Sequence, residues 1–265
     1  MVVGNRASSG RKHKLESKVF MQKITYIGAD DQTHKFFVEG ADITTMNVLR
    51  RKIGYCLSVY AIDEIDFYDN DSVVVDEMLA NRLALCPLVT PENTTGKKVT
   101  LSLEKTGPCT VYSGDLKSND SEIVQVYNTI PLTKLKENQS LRFDAYAIQG
   151  QGRTHVKFSP AIVSYSVLPE LEILRGCDGC EACVKACPAN CMKLVSGKPK
   201  IDELTKCTNC QACVDACPKE CLRLNDTNNF VLTIELIGQM SILNILKSLD
   251  RYSKEYFALL KKKFK

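Results

Sequence analysis

Along these 265 residues the spacing of apolar side chains changes period several times, and each change predicts an element. Gln22–Gly28 and Lys35–Gly40 read as two strands around the turn Ala29-Asp-Asp-Gln. Ile43, Met46, Leu49, Ile53 and Cys56 then recur every three to four residues, which predicts an amphipathic helix capped by Asp42 or a following Thr. Arg50, Arg51 and Lys52 fall on its polar side. Ala61–Tyr68 predicts a strand. Asp76 predicts the cap of a short helix with Leu79, Leu83 and Cys86 inward and Pro87 at its end.

The period next drops to two. Val99, Leu101 and Leu103 alternate with polar residues, as do Leu141, Phe143, Ala145 and Ala147. Short β segments are expected between them at Thr110–Tyr112 and Ile123–Tyr127, giving a small, mostly antiparallel sheet. Further strands are predicted at Val163–Leu168 and Phe230–Ile237. Ser241 opens a long helix with the stripe Ile242, Ile245, Leu246, Leu249, Tyr252, Tyr256 and Leu259, and Lys261–Lys263 complement its dipole. A sheet-and-helix unit thus begins at one end of the chain, is interrupted twice, and closes at the other end. Its terminal helix carries more apolar stripe than so small a sheet can cover, so a second chain is the expected cover.

The second interruption carries the chemistry. Gly176–Pro188 reads Gly-Cys-Asp-Gly-Cys-Glu-Ala-Cys-Val-Lys-Ala-Cys-Pro, and Lys206–Pro218 repeats its spacing thirty residues on. Three cysteines at intervals of three, then a fourth before proline, match the ligand spacing of two-cluster ferredoxins, in which the fourth cysteine serves the other cluster. The expected assignment is crossed. One [4Fe–4S] cluster takes Cys177, Cys180, Cys183 and Cys217; the second takes Cys207, Cys210, Cys213 and Cys187. Structural zinc favours two separated Cys-x-x-Cys pairs, and a disulfide framework goes with secretion, so neither explains the register. Cys191 and Cys221 also repeat and are expected to pack near the clusters as small buried groups.

Composition adds limits. The chain is 44% hydrophobic and 25% charged, with no apolar run of membrane-span length, and its thirteen cysteines without a secretory pattern point to a reducing cytoplasm. The net charge of +4 lies wholly in residues 1–20, and the remainder is balanced. A nucleic-acid footprint is therefore not the main feature of the folded part, and the basic start is expected to be a disordered tail. Gly150-Gln-Gly-Arg-Thr-His lacks the following helix of a dinucleotide fingerprint. Asp63, Glu64, Asp66, Asp69 and Asp71 suit a solvated strand edge, while His34 and His155 are expected to be structural. No catalytic constellation is apparent.

Asn47-Val-Leu-Arg-Arg resembles a helix motif of the RNA polymerase alpha-type subunits. Further similarities follow in order. They are Ala61-Ile-Asp-Glu-Ile; Asp76-Glu-Met-Leu-Ala-Asn-Arg-Leu-Ala-Leu-Cys-Pro; Gly107-Pro-Cys-Thr-Val-Tyr-Ser-Gly-Asp; Leu141-Arg-Phe-Asp-Ala-Tyr-Ala; and Gly150 through Pro160. With the cysteine repeat, the chain is similar to the archaeal D-type members of that RNA polymerase family over about residues 21–265. It departs from the family in having Phe158 where Trp is common and no Pro between Cys56 and Tyr60.

The resemblance implies an α+β fold in several parts. These are a tail (1–20), a discontinuous dimerisation domain (21–60 plus 229–265), a mostly β insert domain (61–168) and a ferredoxin-like domain (169–228). It also implies a non-catalytic subunit of a DNA-directed RNA polymerase that pairs with a small L-type subunit and supports the large catalytic subunits. Such a subunit would meet DNA only through the complex. Asn47, Leu49, Arg50, Arg51, Leu249, Tyr252 and Tyr256 are the expected partner-binding residues. The alternative is a ferredoxin-type electron-transfer protein fused to a docking domain.

Overall fold

The structure, a computed structural model, describes residues 23–92 and 96–263. The basic segment 1–20 lies outside the described residues. In chain order the elements begin with β1 (Lys23–Asp30), β2 (Thr33–Glu39) and α1 (Ile43–Tyr55). The first excursion holds β3 (Ser58–Asn70), α2 (Asp76–Ala84), β4 (Val99–Thr106), β5 (Cys109–Tyr112), β6 (Lys117–Ser118), β7 (Pro131–Leu135) and β8 (Ser140–Gln151). The chain returns in β9 (Ala161–Ile173) and leaves again through α3 (Ala182–Lys185), β10 (Met192–Val195), β11 (Lys198–Ile201) and α4 (Ala212–Asp215). It closes with β12 (Leu222–Leu236) and α5 (Ile242–Lys263).

The four-stranded sheet β1-β2-β12-β9 joins the two ends of the chain, and every described pairing is antiparallel. Phe36, Val38, Phe230, Leu232 and Ile234 face Met46, Ile53 and Ile245 in one core. The discontinuous α+β unit read from the period changes is therefore present. Asp42 caps α1 by accepting from the Thr45 backbone N–H at 2.8 Å, and Ser241 Oγ accepts from Asn244 N at 3.3 Å at the start of α5.

The excursion between α1 and β9 is a second sheet, β3-β8-β4-β6, with the smaller pair β5-β7. Its core contains Leu101, Leu141 and Phe143 from the alternating positions expected inward, Leu79 and Leu83 from the expected helix, and Leu132, which carried no expectation. The acidic run lies on β3, an edge strand, where Asp63 pairs with Lys157 and Glu64 with Lys98.

Four local expectations are corrected. Ile43 is exposed because it opens α1 beyond the face that the sheet covers. Val75, not Asp76, is the cap of α2; Asp76 instead accepts from Asn70 Nδ2 at 2.6 Å. Ile123–Tyr127 forms no strand. It crosses the end of the sheet, bonding Val124 O to Val89 N at 2.8 Å and Val126 N to Pro87 O at 3.0 Å. β12 begins at Leu222 rather than Phe230, because β9 remains paired with it through a register shift between Asp226 and Phe230.

The two glycines of the Gly150–Pro160 motif serve close packing. A Cβ on Gly150 would lie 2.7 Å from the Phe158 ring, and one on Gly152 would lie 2.5 Å from Gly54 O. Ser159 Oγ donates to Gly54 O at 2.8 Å, so this motif fastens the excursion to the end of α1.

Candidate iron–sulfur site

β9 and β12 run side by side out of the first sheet, pairing as far as Ile173 and Leu222, and the cysteine repeat is strung between their far ends. Left-handed backbone recurs in the two halves at the same interval as the sequence repeat. Gly179 and Asn209, Glu181 and Gln211, and Asn190 and Glu220 all have φ between 48° and 73°. Alternation of left-handed and right-handed residues turns successive N–H groups toward one concavity, a geometry suited to anionic sulfur. Gly179 has a steric reason as well, since a Cβ there would lie 2.7 Å from Gly197 O. The following αL residues, Glu181 and Gln211, start the one-turn helices α3 and α4, which bury Cys183 and Cys213.

The fold gathers the eight predicted ligands around two cavities. One is lined by Cys177, Cys180, Cys183 and Cys217, with Cys221 beside them. The other is lined by Cys187, Cys207, Cys210 and Cys213, with Cys191 beside them. Each cavity thus takes three cysteines from one half of the repeat and one from the other. Among the described residues no group of three or more His, Cys, Asp or Glu is tight enough for a single metal ion.

The fifth cysteines are distinguished from the four. Cys187 Sγ lies 3.5 Å from Cys191 Sγ, and Cys217 Sγ lies 3.4 Å from Cys221 Sγ. For Cys187, burial pushes the thiol up, but backbone N–H groups of Cys191, Ala189 and Met192 together with the Cys191 thiol outweigh it and hold it below the ordinary value. For Cys217 the Cys221 N–H is the largest cause of the same lowering. Burial, then the neighbour Cys187, raises Cys191; hydrogen bonding to Cys217, then burial, raises Cys221. Among the other expected ligands, Cys183 and Cys213 are also raised, chiefly by burial.

The predicted partner-binding residues sit on the two helices that pack together. Asn47 Oδ1 accepts from Arg50 Nε at 3.3 Å and from its terminal nitrogen at 3.0 Å, bracing the arginine on α1. Arg51 is exposed. Leu49, Leu249 and Tyr252 are partly buried against the first core, and Lys52 Nζ lies 5.9 Å from the Tyr252 ring centre. The side chains of Tyr256, Leu259 and Lys261–Lys263 lie outside those described. The bare apolar residues of these helices are others, Ile43, Val48, Tyr55, Leu243 and Leu246, and β1 adds Ile24, Tyr26 and Ile27.

Sequence reasoning also missed the braces between the two sheets. Lys157 Nζ donates to Ile62 O at 3.0 Å and to Asp63 at 2.6 Å. Tyr127 OH exchanges hydrogen bonds with Gln32 and reaches Ile237 O at 3.3 Å. Lys157 stood inside a recognised motif and was the readable signal; Tyr127 carried none.

This architecture, a sheet built from both chain ends with a β excursion and a cysteine module, is that of an alpha-type polymerase subunit. The family described as "RNA polymerase Rpb3/RpoA insert domain" matches residues 63–164, and that described as "4Fe-4S dicluster domain" matches residues 176–222. The DNA-directed RNA polymerase subunit Rpo3 of Archaeoglobus fulgidus is 35% identical over 86% of this chain and 92% of its own length. The subunit of the same name from Thermococcus kodakarensis is 43% identical over 53% of this chain and 58% of its length. That from Pyrococcus horikoshii is 39% identical over 62% and 67%. The match thus spans little more than half of the Thermococcus relative. The chain belongs to the DNA-directed RNA polymerase subunit Rpo3 family. No helix among the described residues is long and apolar enough to cross a membrane.

Proposed function

We propose that this chain is a non-catalytic assembly subunit of a DNA-directed RNA polymerase. Residues 21–60 and 229–265 mate with a small L-type subunit, and the pair supports the large catalytic subunits. The observation that carries this reading is the similarity to the Archaeoglobus subunit across nearly all of both chains. The bare apolar residues on β1, α1 and α5 support the mating surface, since large exposed apolar side chains gathered on a few elements often mark a contact with another chain.

We further propose that Cys177, Cys180, Cys183 and Cys217 hold one [4Fe–4S] cluster and Cys207, Cys210, Cys213 and Cys187 the other. The donor set fits: four thiols around each cavity, left-handed loops that concentrate N–H groups, and N–H donors already aimed at Cys187 and Cys217. Each cluster, when bound, supplies four iron–thiolate bonds that tie the two halves of the repeat together. The chain's own contribution is to present thiolates, shield them from water and anchor the module on β9 and β12. The role is structural or redox-regulatory, with polymerase assembly as its readout.

The test replaces Cys183 and Cys213 by Ser and co-expresses the chain with L-type and large subunits. Recovery of the large subunits should fall several-fold while the L-type partner is retained. Undiminished recovery of the large subunits rejects the assembly role of the clusters. Loss of the L-type partner even from the unaltered chain rejects the platform reading.

A further inference from the structure

Between β9, with Thr227 and Asn229 of the adjoining β12, and the β10–β11 hairpin lies a groove of about 710 Å³, within the size range of binding sites at roughly 300–1,000 Å³. One wall is Pro169–Ile173 of β9, which ends its sheet and has no strand on its far side among the described residues. The groove is apolar at its centre, where half-buried Leu171 and Ile173 face the wall carrying buried Pro199 and half-buried Ile201. Its rim is basic. Lys198 and Lys200 are exposed and form no ion pair among the described residues, whereas their neighbours Lys193 and Lys206 pair with Asp202 and Glu203. Lys200 lies close enough to help lower the Asp202 carboxyl, after Lys193. Among the described residues, the one acidic side chain lining the groove is Glu170.

An edge strand beside an apolar trough is a place where an extended segment adds as a further strand, its backbone bonded to the edge and alternate side chains in the trough. The two rim lysines select the charge of its other side chains. We propose that this groove docks an extended segment of another protein in which apolar residues alternate with Asp or Glu. The apolar residues would lie over Leu171, Ile173, Pro199 and Ile201, and the acidic ones against Lys198 and Lys200. The inference rests on the groove and not on what fills the cysteine cavities. Pro199 and Ile201 also line the first and second of those cavities, so the hairpin wall is shared between the two sites.

The experiment uses the full chain prepared anaerobically and a fluorescent ten-residue peptide alternating Val and Asp, with binding read by anisotropy. Replacing every Asp by Lys in the peptide should weaken binding at least tenfold. So should proline at alternate positions, which removes backbone donors and leaves the charge intact. The doubly substituted chain Lys198→Glu, Lys200→Glu should prefer the lysine peptide instead; both positions are exposed, so the fold survives. No binding at millimolar peptide, equal binding of both charge forms, or indifference to proline each overturns the proposal. So does a chain dimer that the lysine substitutions dissolve, since a second copy would then be the occupant.

Discussion

The β excursion and the cysteine module are both interruptions of the same sheet, yet they are held by different forces. The excursion has a hydrocarbon core in which Leu79, Leu83, Leu101, Leu132, Leu141 and Phe143 are wholly buried. In the module, six of the eight buried residues at its centre are cysteines, and Met192 and Leu222 are the other two. Each fully buried large apolar side chain stabilises by about 1.5–3 kcal/mol, while ordering each residue costs about 1–2 kcal/mol, so the module needs more than its own hydrophobic contacts. The excursion folds by excluding water. On the proposed reading, the module would fold with a cluster bound to its sulfurs.

The largest expected effect follows from that difference. Removing iron with a chelator should abolish hydrogen-exchange protection across 177–221 while leaving 58–151 protected. Uniform loss, or none, would erase the contrast. Phe143→Ala, by emptying a fully buried site, should cost about 3–5 kcal/mol in denaturant unfolding of the excursion and leave iron content unchanged.

A smaller effect distinguishes a core cysteine from a ligand. Burial raises the Cys86 thiol from 9.0 to about 11, and its Sγ donates to Arg82 O at 3.3 Å. A raised folded value means that the contribution is complete below pH 9 and is lost as pH rises through the folded value. The excursion should therefore lose about 2 kcal/mol between pH 9 and 11, measured by urea unfolding at each pH. Cys86→Ala should flatten that slope. The smallest effect is expected at Cys221. Cys221→Ser should keep its iron, whereas Cys217→Ser, one Sγ contact of 3.4 Å away, should lose the iron of one cavity. Equal loss from the two variants would remove the distinction between ligand and neighbour.

Most of the architecture was legible because period reports burial directly. Met46 and Ile53 on α1, and the alternate residues of β4 and β8, are inward as their spacing requires. What failed was local. Ile43 obeys the helical stripe but lies past the end of the surface that would bury it. Ile123–Tyr127 has strand composition but joins no sheet, and its hydrogen bonds go to Pro87 and Val89. The grouping of the eight cysteines around two cavities followed the crossed spacing, whereas the bare apolar residues of α5 were not separable from the covered ones. Leu243 stands off the predicted stripe, and Leu246, on it, is still exposed.

The sequence by itself determined most of the long elements, their order and the cysteine register, because each depends on neighbours a few residues apart or on an exact repeat. Only the tertiary structure decided which cysteine of each close pair is lowered and which raised, since that depends on N–H groups that the folded loops aim at one sulfur. It alone also placed β9 at an edge beside the β11 hairpin. That groove is made by three segments, about thirty residues apart in turn, and no local pattern encodes the space between them.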